Sequence, residues 1–136
     1  MSVENPANKK FRKELNSGTV ALLLLAVIEQ ADEPLYGYQI AKRIEALDAE
    51  VPMMKHGALY PVLRSLEGSS LLASEVQPSV TGPPRRYYQV TEVGRVTLNE
   101  WRGIWLGTKR LVDRIVFADP AEEVTQAPGG TNNEDG

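Results

Sequence analysis

His56 is the chain's single histidine, and there is no cysteine. Thiolate chemistry, disulfides and cysteine-based zinc sites are therefore excluded, and no carboxylate stands at ligand spacing from His56 to complete a metal site. No Ser-His-Asp set or supported pair of acids can be assembled around it, so neither an enzyme nor a cofactor is expected. The residues that suggest chemistry lie in "MMKHGALYPVLRSLE", residues 53–67. Leu59, Val62, Leu63 and Leu66 fall at i, i+3, i+4 and i+7, which is one apolar stripe of a helix. The opposite face is Gly57, Pro61, Arg64 and Gly68, flanked by Tyr60 and Ser65, a nearly bare surface with one cation. The first turn is poor: no Ser, Thr, Asp or Asn stands at the cap, Gly57 costs about 1 kcal/mol against Ala, and Pro61 removes a backbone donor. A bare face lets the helix backbone approach a partner closely. An uncapped N-terminus offers free N–H groups and a positive dipole end to a phosphate. The alternative is that Gly57 and Ala58 ease packing against the preceding helix, with Pro61 opening the regular helix at an N1-like position.

Other cations and aromatics raise the same choice between binding and packing. Arg85 and Arg86 end a Gly-Pro-Pro turn. Lys9, Lys10, Arg12 and Lys13 form a basic run near the N-terminus, either an arm that grips phosphate or a solvated charge run. Trp101 and Trp105, one helical turn apart, either fill an apolar seam or line a slot for a planar small molecule. The net charge of -3 argues against a polyanionic partner until its distribution is seen. Residues 118–136 carry Asp119, Glu122, Glu123, Glu134 and Asp135 without a Lys or Arg, so the remainder holds all 15 basic groups against 13 acidic ones. That body is mildly basic, which permits nucleic-acid binding.

The elements that must position these residues follow from periodicity and punctuation. With 42% hydrophobic and 24% charged residues, the 136-residue chain reads as one soluble domain, expected in the cytoplasm. The run "VALLLLAVI", Val20 to Ile28, is too short to span a membrane, and the residues around it do not make a secretory signal, so it reads as a buried helix capped by Ser17 or Asn16. "LYGYQIAKRIEAL" is a second, amphipathic helix, with Tyr36, Gly37, Ile40, Ile44 and Leu47 on one face and Tyr38, Lys42 and Glu45 on the other. The helix carrying Gly57 should end near Gly68. "LLASEVQ" and "RRYYQVT", separated by "PSVTGPP", read as a β-hairpin with Arg85 and Arg86 at its tip and one of Tyr87 and Tyr88 facing the core. A last helix runs from the cap Thr91 to about Phe117. Its heptad-like seam of Leu98, Trp101, Trp105, Thr108, Val112 and Ile115 has the spacing used to pack against another helix.

Taken together, "LYGYQIAKRIEAL", "GALYPVLRSLE", "GPPRRYYQVTEVGR" and the Trp-bearing helix resemble the PadR family of bacterial transcriptional regulators, over roughly residues 15–117. The resemblance implies a winged-helix DNA-binding domain, a C-terminal helix that forms the homodimer, and repression relieved by a small molecule. Gly57, Leu59, Tyr60 and Pro61 fall on the family's recognition-helix motif, with Tyr60 in the place of a tyrosine that touches the DNA backbone. Tyr38 and Lys42 match the preceding helix, and Arg85 and Arg86 the wing's basic position. There are departures: Lys55 stands where a capping Ser is common, the region after Glu67 reads "GSSLL" where a Gly near the hairpin start is usual, and Gly103 and Gly107 interrupt the last helix.

The expected architecture is α+β, mainly α: a flexible basic arm at 1–14, a winged helix-turn-helix at 15–90, a long dimerisation helix at 91–117 and a disordered acidic tail at 118–136. The expected partners are double-stranded DNA carrying a pseudo-palindromic operator, a second copy of the chain, and a planar effector at Trp101 and Trp105, with no membrane. Tyr38, Lys42, Lys55, His56, Gly57, Tyr60, Pro61, Arg64, Arg85 and Arg86 are the expected DNA-binding residues, Arg64 being the one to reach a base edge. Two other functions fit the same residues, a protein-interaction module that has lost DNA binding and a small-molecule sensor centred on the tryptophans. Salt-dependent DNA binding separates the first, and tryptophan quenching by planar compounds the second.

Overall fold

The computed structural model describes residues 5–47 and 56–118. The chain divides into two compact units, one ending at Asn99 and one beginning at Glu100. Helix α1 (Pro6–Gln30) begins well before the expected cap at Ser17 or Asn16. Asn5 caps it, its side-chain oxygen accepting the Ala7 amide at 2.7 Å, with Pro6 in the first turn. Asn-Pro is a cap followed by a residue already set for the helix, and the Lys, Arg, Glu and Leu that follow are good helix formers. The basic residues 9–13 therefore ride on an exposed helix, joined by a Lys10–Glu14 pair at 3.9 Å. They are not a flexible arm. Within the apolar run, Leu24, Leu25 and Ile28 are buried.

After α1 comes an element that the sequence reading folds into the second helix. Leu35–Tyr36 is a short strand, β1, followed by α2 (Gly37–Leu47). Two residues are too few to show a period, and their partner strand lies far along the chain. Gln39 closes the start of α2 by accepting the Tyr36 amide at 3.1 Å, in the manner of the glutamine of a capping box. The buried face of α2 is Gly37, Ile40 and Ala41. Leu47, expected on that face, is exposed.

Helix α3 (His56–Gly68) buries Leu59, Leu63 and Leu66 and carries Pro61 inside it. It ends in a Schellman turn: the Leu71 amide reaches the Leu66 carbonyl at 3.0 Å and the Ser70 amide the Glu67 carbonyl at 2.9 Å. Ser70 takes the left-handed position there, with φ 66°, where glycine is the usual residue. The hairpin follows as β2 (Leu72–Gln77) and β3 (Arg85–Val90), antiparallel, with Ser74 opposite Tyr88 and Gln77 opposite Arg85. β1 pairs with the free edge of β3, Leu35 opposite Tyr88 and Tyr36 opposite Tyr87, giving the order β1-β3-β2.

Thr91 starts α4 (Glu92–Val116) as expected. Its hydroxyl accepts the Gly94 amide at 2.9 Å and donates to the Ser70 carbonyl at 2.7 Å, while its own amide reaches the Leu71 carbonyl at 3.1 Å. Gly94 fits against the same spot, where a Cβ would collide with the Leu71 carbonyl oxygen and stand 2.9 Å from Val90. The helix runs unbroken through Gly103 and Gly107. Leu98 is fully buried within the chain alongside Leu24, Leu25, Leu35, Ile40, Leu59 and Leu63, so its place in an intersubunit seam is corrected. A repeat of three and four marks a buried stripe without saying which chain buries it. Helices α2 and α3 with the β2–β3 wing thus form a winged helix-turn-helix, mainly helical with one small sheet.

Candidate nucleic-acid interface

The face of α3 opposite its buried leucines is exposed at Tyr60, Pro61, Arg64, Ser65 and Gly68, as the helical period requires. His56 and Gly57 form the start of that helix, and Pro61 has no N–H to close the bond to the Gly57 carbonyl. Lys55 lies outside the described residues, as do the side chains of the two residues after it.

Tyr60 is 42% exposed, and its ring lies over Gly37 at the start of α2. A Cβ on Gly37 would stand 2.7 Å from that ring, so a larger residue there would displace Tyr60. The residue after Gly37, Tyr38, is half exposed, with the Lys42 ammonium 5.7 Å from its ring centre and Lys42 paired to Glu45 at 3.8 Å. The aromatic surface continues through Tyr36, stacked on Tyr38 at 6.5 Å and edge-on to Tyr87 at 5.3 Å. It ends on the wing, where the Arg85 guanidinium covers Tyr36 at 4.5 Å. Such contacts hold a cation in place while leaving its charge available. Tyr36 is the residue that sequence reasoning missed here; its role depends on β1, whose only sequence signal is the Pro34 that precedes it.

Arg85 and Arg86 do not sit at the tip of the loop. They are the first two residues of β3, pointing to opposite faces of the strand. While Arg85 stacks on Tyr36, the Arg86 Nη1 donates to the Ser74 hydroxyl at 2.9 Å, and that hydroxyl donates to Glu67 Oε2 at 2.6 Å. Tyr88, on the same face of β3 as Arg86, is 3% exposed. Burial pushes its hydroxyl above the ordinary value of 10.0, the Glu67 carboxylate adds to this, and Arg86 and Arg64 oppose it. Tyr87 is partly exposed, so the expected division of the tyrosine pair holds with Tyr88 inside.

In the second unit, Trp105 is 40% exposed, Val112 46% and Ile115 70%, Thr108 is exposed and Trp101 partly so. A shallow recess on this unit is lined by Gly107, Arg110, Leu111, Arg114 and Ile115, and neither tryptophan lines it. Among the described residues no group of three acids or histidines could hold a metal ion, and no helix is long and apolar enough to cross a membrane.

Helix-turn-helix, wing and an exposed cationic and aromatic surface define a winged-helix protein. The profile of the transcriptional regulator PadR-like family matches residues 24–100, and the chain belongs to that family. Among solved structures, a PadR family transcriptional regulator from Eggerthella lenta is 30% identical with a TM-score of 0.69, over 83% of this chain and 95% of that one. A PadR family transcription regulator from Clostridium difficile is 26% identical with a TM-score of 0.60, over 73% of this chain and 99% of that one. An uncharacterized protein from Lysinibacillus sphaericus is 26% identical over 102 residues, 75% of this chain and 92% of its own length.

Proposed function

We propose that the protein is a sequence-specific DNA-binding regulator, acting as a homodimeric repressor on a pseudo-palindromic operator and released by a small-molecule effector. The observation that carries this reading is the exposed face of α3, whose Tyr60 lies against Gly37, together with the ring and cation contacts that join Lys42, Tyr38, Tyr36 and Arg85 on either side of that glycine. Cations and phenols spread over α2 and the wing suit phosphate contacts on both sides of a groove, and Arg64 on the bare helix face suits a base edge. Two copies joined through the exposed apolar side chains of α4 would present two such helices to a two-fold operator. Trp105, exposed in the single chain, supports an effector site for a planar molecule on the same helix.

The test is selection of duplexes from a random-sequence pool, followed by affinity measured against salt. A regulator enriches a pseudo-palindrome, and its affinity falls with a log–log slope of about -4 or steeper if each half-site takes two or three cations. A protein that enriches no sequence and ignores salt is an interaction module, and the reading fails.

A further inference from the structure

We propose that Ser74 is a positioning residue, a neutral relay that sets the wing against the recognition helix by joining Arg86 of β3 to Glu67 of α3. The inference rests on the DNA-binding reading above and assigns Arg86 a different task from Arg85. The chain of contacts crosses three elements in two short steps, Arg86 Nη1 to Ser74 Oγ at 2.9 Å and Ser74 Oγ to Glu67 Oε2 at 2.6 Å. Both are charge-assisted, and a hydroxyl is suited to the middle place because it donates and accepts at once. Ser74 stands opposite Tyr88 in the ladder, so the relay draws both strands of the wing onto the helix at the one register where the core tyrosine fixes the sheet.

The relay matters because contacts at the wing and at α3 must be made on the same duplex at the same time. Without the hydroxyl, Arg86 and Glu67 can still attract one another, but at a different spacing, and the wing shifts relative to α3. The folded protein and its net charge are then unchanged, while the geometry that matches one particular site is lost. A direct phosphate contact by Arg86 predicts something else, a change in the number of ions released.

The experiment uses the full chain, the duplex that the wild type selects from a random pool, and a scrambled duplex of the same length. Ser74→Ala should bind the selected duplex about tenfold more weakly, with the scrambled affinity and both salt slopes unchanged, and Ser74→Thr should return to within about twofold of wild type. Should Ser74→Ala fail to fold, Ser74→Val against Ser74→Thr makes the same comparison between side chains of one shape. Equal affinity with and without the hydroxyl, an equal loss on both duplexes, or a changed slope would overturn the relay while leaving DNA binding in place. A wild type that selects no duplex removes the DNA-binding reading, and the relay's task with it.

Discussion

Adjacent residues Tyr87 and Tyr88 face opposite sides of β3, and only the second is sealed in the core. Its hydroxyl is held above 10.0 in the folded chain, chiefly by burial. Between that value and the higher folded one, the unfolded chain loses the proton and the native chain does not, so stability is untouched below about pH 10 and falls as pH rises through the folded value. The melting temperature should drop more steeply above pH 10 in the wild type than in Tyr88→Phe. Parallel curves from the two proteins would mean that Tyr88 ionises as freely folded as unfolded. At this scale the sequence was informative where a period decides: Tyr60 and Arg64 are exposed because Leu59, Leu63 and Leu66 are buried. It was silent about Ser74 and Glu67, seven positions apart, because they meet only after α3 has turned into the hairpin.

The glycines of α4 separate two meanings of one residue type. Gly94 touches the Leu71 carbonyl and Val90, whereas Gly103 has nothing within 4 Å of where a Cβ would stand. Gly94→Ala should therefore cost roughly 1 to 3 kcal/mol through overpacking against backbone that cannot yield, and Gly103→Ala should gain up to about 1 kcal/mol from helix propensity. Urea unfolding of the two variants would show the opposite signs, and a loss at both would place another surface over Gly103. The last helix, the Thr91 cap and the hairpin were legible because caps, turn residues and alternation are local signals. Two elements were not. The start of α1 lies earlier than the apolar run suggests, because the charge run looks like a solvated end although the Asn5-Pro6 cap stands ahead of it. Strand β1 looks like the start of a helix in the sequence because its two residues are defined by a partner some fifty positions away.

For the whole molecule, the question is what covers the apolar side chains that α4 exposes in its second half. Val112 is 46% and Ile115 70% exposed in the single chain. If they meet their counterparts in a second copy, Val112→Asp buries an unpaired charge, costing several kcal/mol, and should shift sedimentation from dimer to monomer. A folded dimer at the wild-type dissociation constant would place the interface elsewhere. The sequence shows the three-and-four stripe but not what covers it, and Leu98 belongs to the chain's own core, a division that only burial reveals. One further property follows from the bonds that tie Ser70 and Leu71 to Thr91. They fasten the two inner ends of the hairpin to each other and to the ends of α3 and α4, while Val80 in the connecting loop is wholly exposed. The wing is therefore built in at its root and braced again farther along, by β1 on the edge of β3, by Arg85 on Tyr36 and by the Arg86–Ser74–Glu67 contacts. A load applied at the loop is thus borne by a sheet held in several places, and the alignment of β2 and β3 with α3 does not depend on the root alone.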